Sequence, residues 1–187
     1  MGLLSPLLSS EDAGTYDVVA AGEYITPPTS TNTATRSNGT LHMTPLTLAS
    51  AITIDRIAIE VTGAGTAGSV CRLGLYADAG GKPGALLVDA GTVDTTTTGV
   101  KEVTVSQVLS AGRVWLAAVQ QGAPTTAATV RTTLSSLWIG NSSASNVLGT
   151  PGNGLLVTGV TGALPSPFPA GSSLSTQGHR IAVRRQA

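Results

Sequence analysis

Charged side chains are scarce in this sequence. Ten Lys and Arg and ten Asp and Glu make up 11% of 187 residues, with a formal net charge of zero, where an ordinary soluble domain carries about 25%. So few cations cannot build a basic stripe, and nucleic acid is not an expected ligand. Weak self-repulsion favours association, so the chain reads as one component of an assembly. Aromatic residues are also few: one Phe, two Trp and three Tyr. Leu, Ile, Val and Ala must therefore fill the core, and platforms for stacking a sugar are limited. The single cysteine, Cys71, excludes an internal disulfide. It alternates with Leu73 and Leu75, which makes it a small buried hydrophobe rather than a reactive thiol. No apolar run approaches the ~20 residues of a spanning helix, so membrane insertion is not expected. The opening MGLLSPLLSSEDAG contains no Lys or Arg and no signal-peptide core, which implies synthesis in the cytoplasm without a signal peptide.

Helical periodicity is missing as well. β-Branched residues, Gly and Pro recur too often for a 3.6-residue apolar stripe. Leu3, Leu4, Leu7 and Leu8 could line one side of a turn, but Pro6 interrupts it, and residues 1–21 read as an N-terminal arm with those leucines as anchoring candidates. Residues 22–40, polar and proline-containing, read as a loop or extended connection. Residues 41–187 are the expected β-domain.

What the chain does contain is strand signal. In RLGLYADAGGKPGALLVDAG, residues 72–91, Cys71, Leu73 and Leu75 alternate with Arg72, Gly74 and Tyr76. The chain then reverses through Asp78, Gly80, Gly81, Pro83 and Gly84, and Leu86 to Val88 open a second strand, predicting a β-hairpin. Ile52 and Ile54, then Ile57, Ile59 and Val61, change face at Asp55-Arg56, and a bulge there would keep all five in the core. Pro45 predicts an edge strand over 41–48. RVWLAAV at 113–119 is apolar on both faces, which suits a central strand and places Trp115 in the core. GNSSASNVLGTPGNG at 140–154 reads as a surface loop. Eight to ten strands with turns about every ten residues predict an all-β fold, an antiparallel two-sheet sandwich of jelly-roll type.

The sequence offers little catalytic chemistry. His42 and His179 lie in different segments with no ligating neighbours at metal spacing, and nucleophile elbows, phosphate loops and HExxH are missing. GAGTAG at 63–68 precedes no helix and reads as a turn. A glycosidase needs two carboxylates in an aromatic-lined cleft, and the shortage of aromatics argues against one. Asp78, Asp89 and Asp94 could meet at one end of the sandwich as oxygen ligands for Ca²⁺, although an Asp in a turn more often caps its own backbone. No cofactor is expected. Tyr76, at the mouth of the hairpin, and Trp138, Asn141 and Asn146, in or beside the 140–154 loop, are the candidates for contact with a sugar or a partner chain; core packing is the competing reading for Trp138.

The segment Ile52–Ala123, through GLYADAGGKPGALL, TTTTGVKEVTVSQVLSAG and VWLAAVQQG, resembles a β-sandwich domain of structural proteins of tailed bacteriophages, among them tail-fibre and minor tail proteins. That resemblance implies a non-enzymatic virion component, and it carries no catalytic or ligand residues over. The expectation is a tail-fibre or tail-tip subunit, homotrimeric, bound to other virion proteins and meeting a host cell-surface glycan. A capsid decoration or head-fibre protein is the alternative, and a polysaccharide depolymerase the third.

Overall fold

The computed structural model describes residues 15–16, 19–122, 124–134 and 152–187, and contains no helix among them. Its strands are β1 (Thr15–Tyr16), β2 (Tyr24–Ile25), β3 (Ser30–Thr35), β4 (Leu41–Leu48), β5 (Ile52–Gly63), β6 (Val70–Asp78), β7 (Pro83–Asp94), β8 (Gly99–Leu109), β9 (Gly112–Gln121), β10 (Thr129–Leu134), β11 (Gly154–Val157), β12 (Ser173–Ser175) and β13 (Ala182–Arg185). They form two sheets packed against each other. One runs β12-β11-β4-β9-β6-β7, with β1 added to β4 in parallel; the other runs β2-β13-β5-β10-β3, with β8 added to β5. From β4 onward only β6–β7 and β11–β12 stay within a sheet between consecutive strands. The other connections cross between sheets, as in jelly-roll sandwiches.

Alternation explains the inter-sheet core. Ile52, Ile54, Ile57 and Ile59 of β5 meet Cys71, Leu73 and Leu75 of β6 and Val114, Leu116 and Ala118 of β9. The expected bulge is present against β13: Arg184 and Arg185 pair with Arg56 and Ile54, so β5 has one extra residue there, which keeps the isoleucines on both sides of the shift facing inward. β9 is central, flanked by β4 and β6. The β6–β7 hairpin also forms as expected, with Gly80 and Gly81 at φ 64° and 87°, a conformation only glycine adopts without a Cβ clash. Asp78 Oδ2 accepts from Gly81 N at 2.9 Å.

Three features differ from expectation. Residues 22–40 contain β2 and β3, the latter paired along its length with β10; STNTAT carries no apolar alternation, so its strand character comes from its partner. β4 is interior rather than at an edge. Pro45 falls between the part of β4 paired with β11, Leu41–Met43, and the part paired with β1, Thr47–Leu48, so its missing N–H breaks no ladder bond to either strand. Finally, the outer face of the first sheet is covered. Leu41, Met43, Tyr76, Trp115, Ala117 and Val119 form a second core with Leu155 and Leu164, and Phe168 packs against it. The covering segment is tied down by Leu164 N to Asp89 Oδ2 at 2.9 Å, Phe168 N to the Gly84 carbonyl at 2.9 Å, and Gln121 Nε2 to the Gly162 carbonyl at 2.8 Å. It comes close over Gly74, where a Cβ would collide with Leu164 Cδ1 and the Val88 carbonyl.

Candidate functional site

The outer face of the second sheet is where the described chain presents a groove. One edge of β5 is taken by β8 from Ile52 to Val61. The other is shared, β13 pairing with residues 54–58 and β10 with Val61 and Gly63. At this junction two small residues sit opposite each other on adjacent strands, Ala58 of β5 and Ala182 of β13, leaving a depression between longer neighbours. The resulting groove measures about 510 Å³.

Its walls are polar and fixed. Tyr24, 43% exposed, reaches across from β2, and its hydroxyl donates to Glu102 Oε1 of β8. Outside the groove lining, the Arg184 guanidinium lies 5.7 Å from the Tyr24 ring centroid and is held by a bidentate pair with Asp55, both bonds at 2.8 Å. Opposite, Arg131 grips Glu60 through two bonds of 2.9 and 3.0 Å. Arg180 Nη1 donates to the Thr29 carbonyl at 2.8 Å, and Val100, 65% exposed, completes the apolar lining.

Charge states follow from these contacts. The Arg131 hydrogen bond holds Glu60 below the usual carboxylate range, and Arg184 does the same for Asp55. Both remain ionised at neutral pH, and neither is poised to donate a proton. Burial, reinforced by the bond to Glu102, raises the Tyr24 phenol, which therefore stays a neutral donor. The site is an apolar floor rimmed by ionised donors and acceptors in set positions.

The residues singled out from sequence fare differently. Tyr76 is not a contact surface. It is fully buried under the covering segment, edge-on to Phe168 at 5.7 Å between ring centroids, and its hydroxyl donates to the Pro165 carbonyl at 2.7 Å. Alternation placed it on the far face of β6 but carried no sign that this face has a second cover. Asp78, Asp89 and Asp94 do not converge. Asp78 lies at the turn and Asp94 opposite Val70, so the hairpin separates them by roughly 27 Å. Asp78 also accepts from Trp115 Nε1 at 2.8 Å. Asp89 is engaged by Arg72, Leu164 N and Gly91 N, and Asp94 caps Thr96. No group of three or more His, Cys, Asp and Glu able to hold a metal occurs among the described residues. Trp138, Asn141 and Asn146, and Leu3, Leu4, Leu7 and Leu8, lie outside the described residues.

Sequence reasoning missed Tyr24, because it sat in an apparent loop, and missed that His42 and His179 meet. Their rings are 5.4 Å apart, both buried. Cys71 is buried as expected, and burial pushes its thiol up to about 12. A maleimide should leave native protein unlabelled and react fully after denaturation; rapid native labelling would show that the inter-sheet core opens.

Comparison with protein-family models, with curated proteins and with solved structures finds no match to this chain. Its fold is an antiparallel two-sheet β-sandwich.

Proposed function

We propose that this chain is a non-enzymatic structural protein of a bacteriophage virion, a tail-fibre or tail-tip subunit whose outer sheet face binds a glycan of the host surface. The virion assignment rests on the sequence resemblance of Ile52–Ala123. The binding assignment rests on one observation, the groove over Ala58 and Ala182. A saccharide offers an apolar C–H face and a ring of hydroxyls, and the groove offers an exposed Tyr24 ring with carboxylates and guanidiniums in fixed positions. Hydrolysis has weaker support. A glycosidase requires one carboxyl kept protonated by its surroundings, whereas Arg131 has the opposite effect on Glu60.

The test is a binding screen with the purified protein. An array of bacterial surface saccharides should retain it, and incubation with those saccharides should release no reducing ends. Retention by empty phage capsids, with no glycan bound, would replace this reading with capsid decoration. Release of reducing ends would replace it with a depolymerase.

A further inference from the structure

Strand β8, an edge strand of the second sheet, is paired with β5 on one side only, and among the described residues no strand takes its other edge. It is eleven residues long, contains no proline, and has one residue more than β5 between Gln107 and Thr104, across which its exposed and half-buried residues still alternate. An edge of this length exposes a row of backbone donors and acceptors, which invites addition of a further strand. Its even-numbered residues, Val100, Glu102, Thr104, Ser106 and Val108, are exposed, while Val103 and Val105 pack partly against the inter-sheet core. Val100 and Val108, at 65% and 61% exposure, are two of the three large exposed hydrophobics in the described chain.

Around Thr104 the strand is a palindrome in character. Laid antiparallel on a second copy of itself with Thr104 facing Thr104, it sets Val100 against Val108, Val103 against Val105, Glu102 against Ser106 and Lys101 against Gln107. Both exposed valines acquire an apolar cross-strand partner, and no like charges face each other. A slip of one residue would put inward side chains opposite outward ones. A slip of two would leave both exposed valines facing polar residues, Val108 against Glu102 and Val100 against Ser110, or Val100 against Ser106 and Val108 against Thr98. The zero net charge of the chain removes long-range repulsion between copies. The Val108 carbonyl, now held by Gln107 Nε2 of the same strand at 2.8 Å, would exchange that bond for a backbone donor.

We propose that β8 is a homodimer interface: two copies pair β8 with β8 about a two-fold axis at Thr104, joining their outer sheets into one continuous sheet. Such a contact is isologous, the same patch serving both subunits. It is a two-fold alternative to the three-fold arrangement expected from sequence. Because a two-fold perpendicular to the sheet keeps outer faces on one side, the two grooves, each bordered by Val100 and Glu102, lie on the same surface.

Disulfide trapping reads the register. In this pairing a Thr104→Cys variant places its two thiols directly across from each other, whereas the thiols of Ser106→Cys lie about 13 Å apart along the strands. Both positions are exposed, and the native Cys71 is buried. Oxidation should convert Thr104→Cys into a covalent dimer and leave Ser106→Cys without one. Sedimentation velocity should show a dimer of the unmodified protein, with Val108→Lys raising its dissociation constant at least tenfold while circular dichroism and melting temperature stay unchanged. A monomer at all concentrations, a trimer, or equal cross-linking of the two cysteine variants would overturn the proposal.

Discussion

Trp115→Ala should lower the stability of the protein by about 4 kcal/mol, the range found when a large buried aromatic is removed, and should depress the melting temperature by roughly 10 °C. Trp115 is fully buried at the centre of the second core, between Met43, Tyr76 and the covering segment. Two losses add together. The first is the packed volume. The second is electrostatic: Trp115 Nε1 donates to Asp78 Oδ1, while Asp78 Oδ2 accepts from Gly81 N in the hairpin turn. One carboxylate thus joins the centre of the sheet to its tightest turn. Trp115→Phe separates the two, since it keeps most of the apolar contact but leaves Asp78 without its indole donor, which should cost about 1–3 kcal/mol. Urea unfolding of both variants is the measurement. If Trp115→Ala unfolds within 1 kcal/mol of the native chain, the second core does not unfold together with the first.

Acid should weaken the fold in a window set by its two histidines. His42 Nδ1 bonds Ser175 Oγ at 3.2 Å, and among the described residues neither ring nitrogen of His179 has a partner. Thr132, bridged to His179, adds another buried polar atom without a partner among the described residues, and the cation that acts on both rings is Arg36, with no carboxylate among the described residues bonded to either ring to favour a charge. Burial lowers His42 to about 4 and His179 well below its ordinary value. In the unfolded chain both would titrate near 6.5. Between these values the unfolded state binds more protons, so stability is complete above about 6.5 and falls as the pH drops towards 4. His42 alone accounts for about 3 kcal/mol over that interval. The carboxylates held low by Arg131 and Arg184 lose their contribution at lower pH, through and below their ordinary range near 4. The comparison to make is the urea midpoint at pH 7.5, 5.5 and 4.5. A steady decline is expected, and a flat profile would place both rings in contact with water. His42→Gln should flatten the slope.

Which parts of this structure could be read in the sequence follows from where period-two alternation operates. Ile52 to Val61 gave away both strand and bulge, because a change of face within a run of isoleucines has one inexpensive solution. The Asp78 to Gly84 turn was legible from residues with special backbone preferences, and Cys71 and Trp115 from their strand neighbours. Strand β3 was not legible, since Ser and Thr carry no burial signal of their own. Tyr76 was misplaced because the segment that covers it, rich in Pro and Gly around Leu164 and Phe168, has no periodicity to reveal that it packs at all. The groove was hidden for a different reason. Ala58 and Ala182 are unremarkable in sequence, and only their pairing across β5 and β13 turns two small residues into a depression. Tyr24 and Glu102 meet over it from strands far apart in the chain.

The groove is proposed to bind a saccharide without cleaving it. Isothermal titration of the full chain and of Tyr24→Ala, using the saccharide retained most strongly from the array, tests it most directly. Tyr24 is partly exposed, so its removal should leave the melting temperature nearly unchanged while weakening binding at least tenfold, the loss of a stacking surface and of the hydroxyl that holds Glu102. Equal affinity of the two proteins would contradict the account.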